Sequence, residues 1–379
     1  MPGPLRGTRL VEFAGLGPGP FAGLLLADLG AEIIRIDRIP LPGASGDTAL
    51  NPVQRGRSSV AVDLKNPKAV EAVLRLIASS DALIEGFRPG VMERLGIGPE
   101  VCLARQPALV YGRATGWGQS GPQAHLAGHD INYLALSGAL DPIGRRDSGP
   151  VPPVNLLGDY GAGGLYLALG VVAALLEARG SGQGQVVDAA IVDGAAHMTT
   201  TLQWKRSIGT WNTERGTNTL DTGAHFYDVY ETADGRHVSI GALEPQFYAR
   251  LRDVMELTGP EWDDPRDETR WPELSARMAE LFRTGTRDEW CARFAGHDAC
   301  FAPVLTLDEA PAHEHNVARN TFGERDGVVQ PNPAPRLSRT PGEIGCPPPA
   351  AGADTEAVLS AAGFGAEEIA ALRKEGAVQ

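Results

Sequence analysis

Cysteine is scarce in this chain, which has four among 379 residues and none in a CxxC spacing (Cys102, Cys291, Cys300 and Cys346). This pattern argues against a disulfide framework and a structural zinc site, so no metal site is expected. Free thiols suit a reducing compartment, and the sequence opens without a signal-like segment and closes without an SKL-type address. The sequence therefore predicts a cytoplasmic protein.

Net positive charge and long apolar runs are also missing. The formal net charge of -13 repels nucleic acid and anionic lipid at long range. The longest apolar run, Gly164 to Leu176, is shorter than the stretch of about 20 residues that spans a bilayer. We therefore expect no nucleic-acid or membrane partner, and we expect this run to form a buried helix.

Strand and helix patterns alternate through the first half of the chain. LVEFAG and AEIIRID have the composition of strands, and FAGLLLADLG between them has helical spacing. Further units follow in SSVAVDL, AVEAVLRLIASS, DALIEGF and PALVYGRATG, and VVDAAIVDGAAHM has the pattern of a strand leading into a helix. The alternation predicts an α/β fold whose large domain has a Rossmann-like parallel sheet with helices on both faces.

The pattern changes near residue 222. Two β-rich runs flank Asp234 and Gly235, which predicts a hairpin, and helical segments follow. A proline-rich extended segment then leads to a last helix, from about Thr355 to Lys374, expected to cover the first domain. We predict a large domain from residues 1–200 with 325–379, a smaller α+β domain at 222–312, and linkers at 201–221 and 313–324.

A glycine-rich loop follows the first predicted strand. Gly17-x-Gly19-x-x-Ala22, with Asp37 at the end of the next strand, fits a permissive dinucleotide-binding pattern. A tight strand-to-helix turn that requires small residues explains the same letters, so an NAD-dependent dehydrogenase remains one alternative. Arginines cluster nearby, and each can either bind phosphate or lie on the solvated surface. They are Arg35, Arg38, Arg55, Arg57, Arg88 and Arg94.

Two predicted helix starts carry groups that can transfer protons. His129 and Asp130 precede an apolar stretch, and Asp159 is the second residue of GDYGAGG, whose glycines would let a ligand approach the backbone. Either acidic residue could equally be an ordinary helix cap, and a lone histidine is usually structural. Spacing alone leaves both interpretations open.

Nine segments together resemble the family III CoA-transferase superfamily and, within it, the α-methylacyl-CoA racemases, from near the first residue to the last helix. They are GPGPFAGLLLADLGAEIIRIDR, VAVDLK, LIEGFRPGVMERLGIGP, TGWGQSGP, AGHDINYLALSG, GDYGAGG, GQGQVVDAAIVDG, FYDVYETADGR and IGALEPQFY. The resemblance implies an isomerase that interconverts (2R)- and (2S)-2-methylacyl-CoA thioesters through an enolate. It also implies an interlocked ring homodimer that needs no cofactor, because coenzyme A is part of the substrate.

The resemblance implies roles for individual residues. His129 and Asp159 would be the two bases that flank the α-carbon, and Asp130 and Glu244 would orient and charge-stabilise the histidine. The helix start at Asp130 is also the expected N–H donor to the enolate oxygen. The expected coenzyme A site comprises Arg38, Val62, Asp63, Leu64, Lys65, Gly86, Phe87, Arg88, Arg94, Gly128, Ile131, Asn132, Tyr133, Gly158, Tyr160, Gly161, Ala162 and Gly163.

One departure concerns the acyl chain. Racemases of this type tend to offer it a methionine-rich surface, whereas this chain has five methionines in all, and Trp204 and Trp211 are alternative acyl-path residues. The nearest rival function is a CoA-transferase in which Asp159 attacks the thioester as a nucleophile. A CoA-binding protein without activity is a further alternative, against which the joint presence of His129, Asp159 and Glu244 argues.

Overall fold

The computed structural model describes residues 3–40 and 51–379. The strands are β1 (Arg9–Phe13), β2 (Glu32–Arg38), β3 (Arg57–Val62), β4 (Ala82–Glu85), β5 (Val110–Thr115), β6 (Val186–Ala190), β7 (Tyr227–Glu231), β8 (His237–Gly241), β9 (Phe301–Val304), β10 (Phe322–Arg325) and β11 (Val328–Pro331). The helices are α1 (Pro18–Asp28), α2 (Pro67–Ala78), α3 (Val91–Arg94), α4 (Pro99–Arg105), α5 (Asp130–Ser137), α6 (Tyr166–Ser181), α7 (Ile191–Met198), α8 (Thr200–Ser207), α9 (Pro245–Met255), α10 (Trp271–Phe282), α11 (Arg287–Phe294), α12 (Glu314–Ala318), α13 (Thr355–Ala361) and α14 (Ala366–Lys374). A π-helix, Leu156–Leu165, runs directly into α6.

Six strands form one parallel sheet in the order β3-β2-β1-β4-β5-β6. This is the strand order of a doubly wound nucleotide-binding fold, in which ligands bind beyond the carboxyl ends of the strands. One apolar cluster joins the sheet to α2, α13 and α14, and a second joins its other face to α1 and α6. The predicted α/β fold with a parallel sheet is confirmed.

The chain divides into two compact units. The first contains residues 1–137, 154–198 and 320–379, and the second contains residues 138–153 and 199–319. The second unit has an antiparallel sheet in the order β7-β8-β9, and helices α9, α10 and α11 share its apolar core. The hairpin predicted around Asp234 and Gly235 is confirmed as the β7-β8 connection. The domain boundaries stay predictions.

The apolar run Gly164 to Leu176 belongs to a longer helix than the sequence predicts. The π-helix and α6 together cover Leu156–Ser181, 26 residues that are long and apolar enough to cross a membrane. Half of the most apolar 18-residue stretch of this helix is buried inside the chain. The core helix of a globular protein can be equally long and apolar. The expectation of a buried helix holds for one face only, because Leu169 and Leu176 are exposed while Leu167 and Val171 pack on the sheet.

The prediction of a single last helix from Thr355 to Lys374 is wrong, because the structure has two separate helices there, α13 and α14. Gly363 lies between them with φ +85°, a left-handed conformation that glycine adopts without strain. The N–H of Phe364 returns to the carbonyl of Leu359 and closes the end of α13. Both helices nevertheless contribute to the cluster on the first sheet, as expected.

Candidate active site

Asp159 faces the loop that follows β1. Gly17 there has φ +68°, and a Cβ added to it would lie 3.0 Å from Asp159 Oδ2. The glycine-rich loop therefore makes room for a carboxylate of this chain. Asp37, the residue a dinucleotide ribose would need, is already bonded to Arg35 Nε at 2.7 Å and to the Ser59 hydroxyl at 2.5 Å. These contacts favour the tight-turn interpretation over NAD binding.

The π-helix that carries Asp159 packs directly against the start of α1. A Cβ at Gly163 would lie 2.7 Å from Pro18 Cβ, and one at Gly164 would lie 2.8 Å from the Phe21 ring. Tyr160 stacks on Phe21 with ring centroids 4.4 Å apart. The expectation that these two glycines admit a ligand is therefore wrong, since they are buried against a neighbouring helix.

Asp130 holds the beginning of the π-helix. Its Oδ2 accepts the N–H of Asp159 at 2.6 Å, and a Cβ at Gly158 would collide with the same oxygen. Its Oδ1 is buried, with no hydrogen-bond partner among the described residues. Within the first unit, the Asp130 carboxylate is thus bonded to the Asp159 segment, whereas the resemblance assigns it to the histidine.

The surroundings of Asp159 raise the pKa of its carboxyl group. Burial raises the pKa of Asp159, the negative charge of Asp130 raises it further, and His129 lowers it by a smaller amount. Burial also raises the pKa of Asp130, against the lowering effect of the N–H groups of Asp159 and Gly158. A raised pKa extends the pH range over which a carboxyl group keeps its proton, which is the direction that a general acid requires.

His129 precedes the first turn of α5 and is exposed in the single chain. Its carbonyl accepts the N–H groups of Asn132 and Tyr133, and its own N–H donates to Asn132 Oδ1 at 3.0 Å. The Tyr133 hydroxyl donates to the carbonyl of Gly128, which fixes the turn before the histidine. These contacts orient the backbone of His129 and leave its imidazole on the surface of the first unit, next to the exposed Ile131.

Four exposed cations lie near the carboxyl ends of the parallel strands. Arg38 ends β2, Lys65 follows β3, and Arg88 and Arg94 follow β4. None of the four forms an ion pair with another residue in the described ranges, so all can accept an anionic ligand.

The other three clustered arginines are buried in internal ion pairs. Arg57 donates to Glu12 at 2.8 Å, Arg55 to Asp28 at 2.5 Å and Arg35 to Asp37 at 2.7 Å. A phosphate role for Arg35, Arg55 and Arg57 is therefore wrong. Their acidic partners lie up to 45 residues away along the chain, so the sequence alone does not reveal the pairing.

The remaining residues expected to contact coenzyme A have varied positions. Val62 is buried in the core, Leu64 and Phe87 are partly buried against it, and Asp63 Oδ1 accepts the N–H of Lys65. Gly86 is exposed, whereas Ala162 is buried and Gly161 lies beside the methyl group of Met198. In the second unit Glu244 is exposed immediately before α9, and Trp204 is 57% exposed while Trp211 is partly buried.

The whole chain is similar to proteins of one family. Residues 5–355 match the family described as CoA-transferase family III. The chain is 46% identical over 377 residues to the α-methylacyl-CoA racemase of Mus musculus, covering 99% of this chain and 97% of that protein. It is 43% identical to the Homo sapiens protein of the same name, with 98% and 96% covered. A succinyl-CoA–L-malate CoA-transferase alpha subunit of Chloroflexus aurantiacus is 31% identical, with 98% and 91% covered.

Solved structures have the same fold. A CAIB/BAIF family protein from Brucella suis superposes with a TM-score of 0.83 at 23% identity, covering 96% of this chain and 100% of that one. The protein Rv3272 of M. tuberculosis superposes with a TM-score of 0.77 at 26% identity, covering 94% and 99%.

Proposed function

The chain belongs to CoA-transferase family III, and from that premise we propose that it is an isomerase of the α-methylacyl-CoA racemase type. It interconverts (2R)- and (2S)-2-methylacyl-CoA thioesters, which are lipid-derived substrates. The observation that carries the choice within the family is the identity of 46% and 43% to racemases, against 31% to a transferase.

The chemistry requires two proton carriers on opposite faces of the α-carbon. In one direction His129 takes the α-proton, the C–H electron pair moves onto the thioester oxygen, and Asp159 gives its proton to the opposite face of the enolate. His129 then carries the proton and Asp159 is a carboxylate, which is the state that the reverse reaction requires. Burial and the charge of Asp130 raise the pKa of Asp159, which is the direction that supports its role as the acid.

The enolate oxygen needs fixed donors. The first turn of α5 begins at Asp130, and no acceptor for the N–H of that residue is found among the described residues. A preorganised N–H donor at such a position stabilises a developing oxyanion by about 2.7 to 4 kcal/mol. We assign the enolate oxygen to this helix start.

The phosphates of coenzyme A are assigned to the exposed cations Arg38, Lys65, Arg88 and Arg94. Their positions at the carboxyl ends of β2, β3 and β4 fit the ligand-binding edge of such sheets. The chain carries all of the proposed proton carriers, so the proposal requires no cofactor. A cytoplasmic location accords with the scarcity of cysteine.

A homodimer completes the proposal. The exposed leucines of the Leu156–Ser181 helix, Leu165, Leu169 and Leu176, recur at helical spacing and give it a second apolar face. Exposed apolar surface of this kind is typical of an interface between chains. We assign that face to the partner subunit, and we expect Glu244 of the partner subunit to stabilise the charge of His129.

The test is α-proton exchange in deuterium oxide with (2R)-2-methylacyl-CoA and no acceptor acid. Inversion with α-deuterium incorporation is expected, and His129→Gln and Asp159→Asn should each lower the rate by at least about 100-fold. His125→Gln, an exposed histidine in the preceding loop, is the matched control and should be unchanged. CoA transfer to an added carboxylate without exchange would assign the protein to the transferases.

A further inference from the structure

Arg113 bridges two carboxylates at the edge of the sheet where the proposed coenzyme A site lies. Glu85 and Arg113 are register partners on β4 and β5, so their side chains lie side by side on one face. Arg113 Nε donates to Glu85 Oε1 at 2.8 Å, and Nη1 donates to Glu93 Oε1 at 2.8 Å. Glu85 and Arg113 are 1% and 5% exposed, so the link between them is shielded from solvent.

Each carboxylate also controls a backbone segment. Glu85 Oε2 accepts the N–H of Phe87 at 2.6 Å and so fixes the turn that leads into Arg88. Glu93 belongs to the short helix α3 and immediately precedes Arg94. A Cβ at Gly98 would lie 2.9 Å from Glu93 Cγ, so the lack of a side chain at Gly98 makes room for Glu93 beside Arg113. Arg113 therefore connects the two segments that carry Arg88 and Arg94.

The bridging arginine differs in kind from the two cations that it connects. Its guanidinium donates to two carboxylates, and its side chain is 7% exposed. Arg88 and Arg94 are exposed and form no ion pair within the described residues. A rigid fork of five N–H donors is suited to fix two carboxylates at once, which a lysine ammonium does less well.

We propose that Arg113, with Glu85 and Glu93, is a positioning residue that holds Arg88 and Arg94 in a fixed relation for binding the phosphate groups of the CoA thioester. The inference rests on the proposed function only in naming coenzyme A as the ligand. Arg113 acts through the two exposed cations and does not take part in proton transfer.

The most informative variant is Glu93→Gln. Glu93 is 45% exposed as a side chain, so its neutralisation cuts the link to α3 without leaving a buried charge unpaired. The Kd for free CoA, measured by calorimetry, and the KM for the thioester should each rise by roughly 5- to 10-fold, with kcat unchanged, because ground-state and transition-state binding are lost equally. Arg113→Lys should give the same split between KM and kcat.

The matched control is Asp28→Asn, which breaks the buried Arg55–Asp28 pair of the same unit. It should lower Tm and leave Kd and KM unchanged. An unchanged Kd in Glu93→Gln, or a fall in kcat at constant KM, would overturn the positioning role. If Glu93→Gln does not fold, Glu93→Asp supplies the same readouts with the charge kept and the reach shortened. Because Kd for CoA is measured without turnover, a wild-type protein that binds CoA but shows no exchange would refute the racemase proposal and leave this inference standing.

Discussion

His225 should make the second unit sensitive to acid. Its side chain is 0% exposed and lies among the rings of Phe226, Tyr248 and Trp262, with Nε2 3.0 Å from the Tyr248 hydroxyl. Burial, and to a smaller extent the positive charge of Arg270, lowers the pKa of His225 from 6.5 to about 4. A proton therefore binds the unfolded chain more tightly than the folded one.

The magnitude follows from the two pKa values. The neutral imidazole contributes its full share of stability above pH 6.5, and that share is lost as the pH falls from 6.5 towards 4. At pH 5 the loss is about 2 kcal/mol, and the full shift corresponds to about 3.4 kcal/mol. Such a loss is a large fraction of the stability of a typical domain.

The assay compares urea unfolding of the wild type and His225→Phe at pH 7.5 and pH 5, followed by the fluorescence of Trp262, Trp271 and Trp290 in the second unit's core. The pH-independent cost of the substitution cancels in the double difference. The stability gap between the two proteins should shift by about 2 kcal/mol in favour of the variant at pH 5. Tyr248→Phe, which keeps the imidazole, should retain the pH dependence. Parallel pH dependence in wild type and His225→Phe would refute the buried neutral imidazole.

Three further substitutions test the proposed proton carriers and their support. Asp130→Asn removes a negative charge and should lower the pKa of Asp159, so in the direction in which Asp159 is the acid the alkaline limb of the kcat/KM profile should move to lower pH; an unmoved limb would contradict the coupling. Gly17→Ala places a Cβ 3.0 Å from Asp159 Oδ2, which should displace the carboxylate and lower the α-deuterium exchange rate by at least about 10-fold. The affinity of this variant for CoA serves as the control and should be unchanged. Gly163→Ala places a Cβ 2.7 Å from Pro18 Cβ and should reduce the free energy of unfolding by about 1 to 3 kcal/mol in a urea titration. Wild-type stability in that variant would show that the two helices can separate.

Local patterns predicted the sheet well. The strands around the first glycine-rich loop and the helix between them follow from the spacing of apolar residues, since β1 and β2 are buried on both faces. The break at Gly363 was less visible, because helical spacing continues on both sides of it. The π-helix could not be predicted from a period of 3.6 residues, because its hydrogen bonds follow a different spacing.

The site depended on contacts between residues far apart in the sequence. Asp130 and Asp159 are candidates from the sequence because each lies at a predicted helix start and matches the family resemblance. The hydrogen bond between them is not predictable in this way, because it joins residues 29 positions apart. The sequence patterns do not single out Arg113, because its pairing with Glu85 follows from the register of β4 and β5. The buried pairs of Arg55 and Arg57 show why a cluster of arginines in a sequence does not by itself indicate a ligand.

The π-helix gives this fold a way to change its chemistry by changing chain length. Leu156–Leu165 is wound more widely than the α-helix that continues it, so a deletion there would tighten the segment towards the ordinary pitch. If α6 keeps its place on the sheet, each residue deleted between Asp159 and Tyr166 would rotate Asp159 by about 100° around the helix axis. A change of length in this segment would therefore change the direction in which the Asp159 carboxylate points.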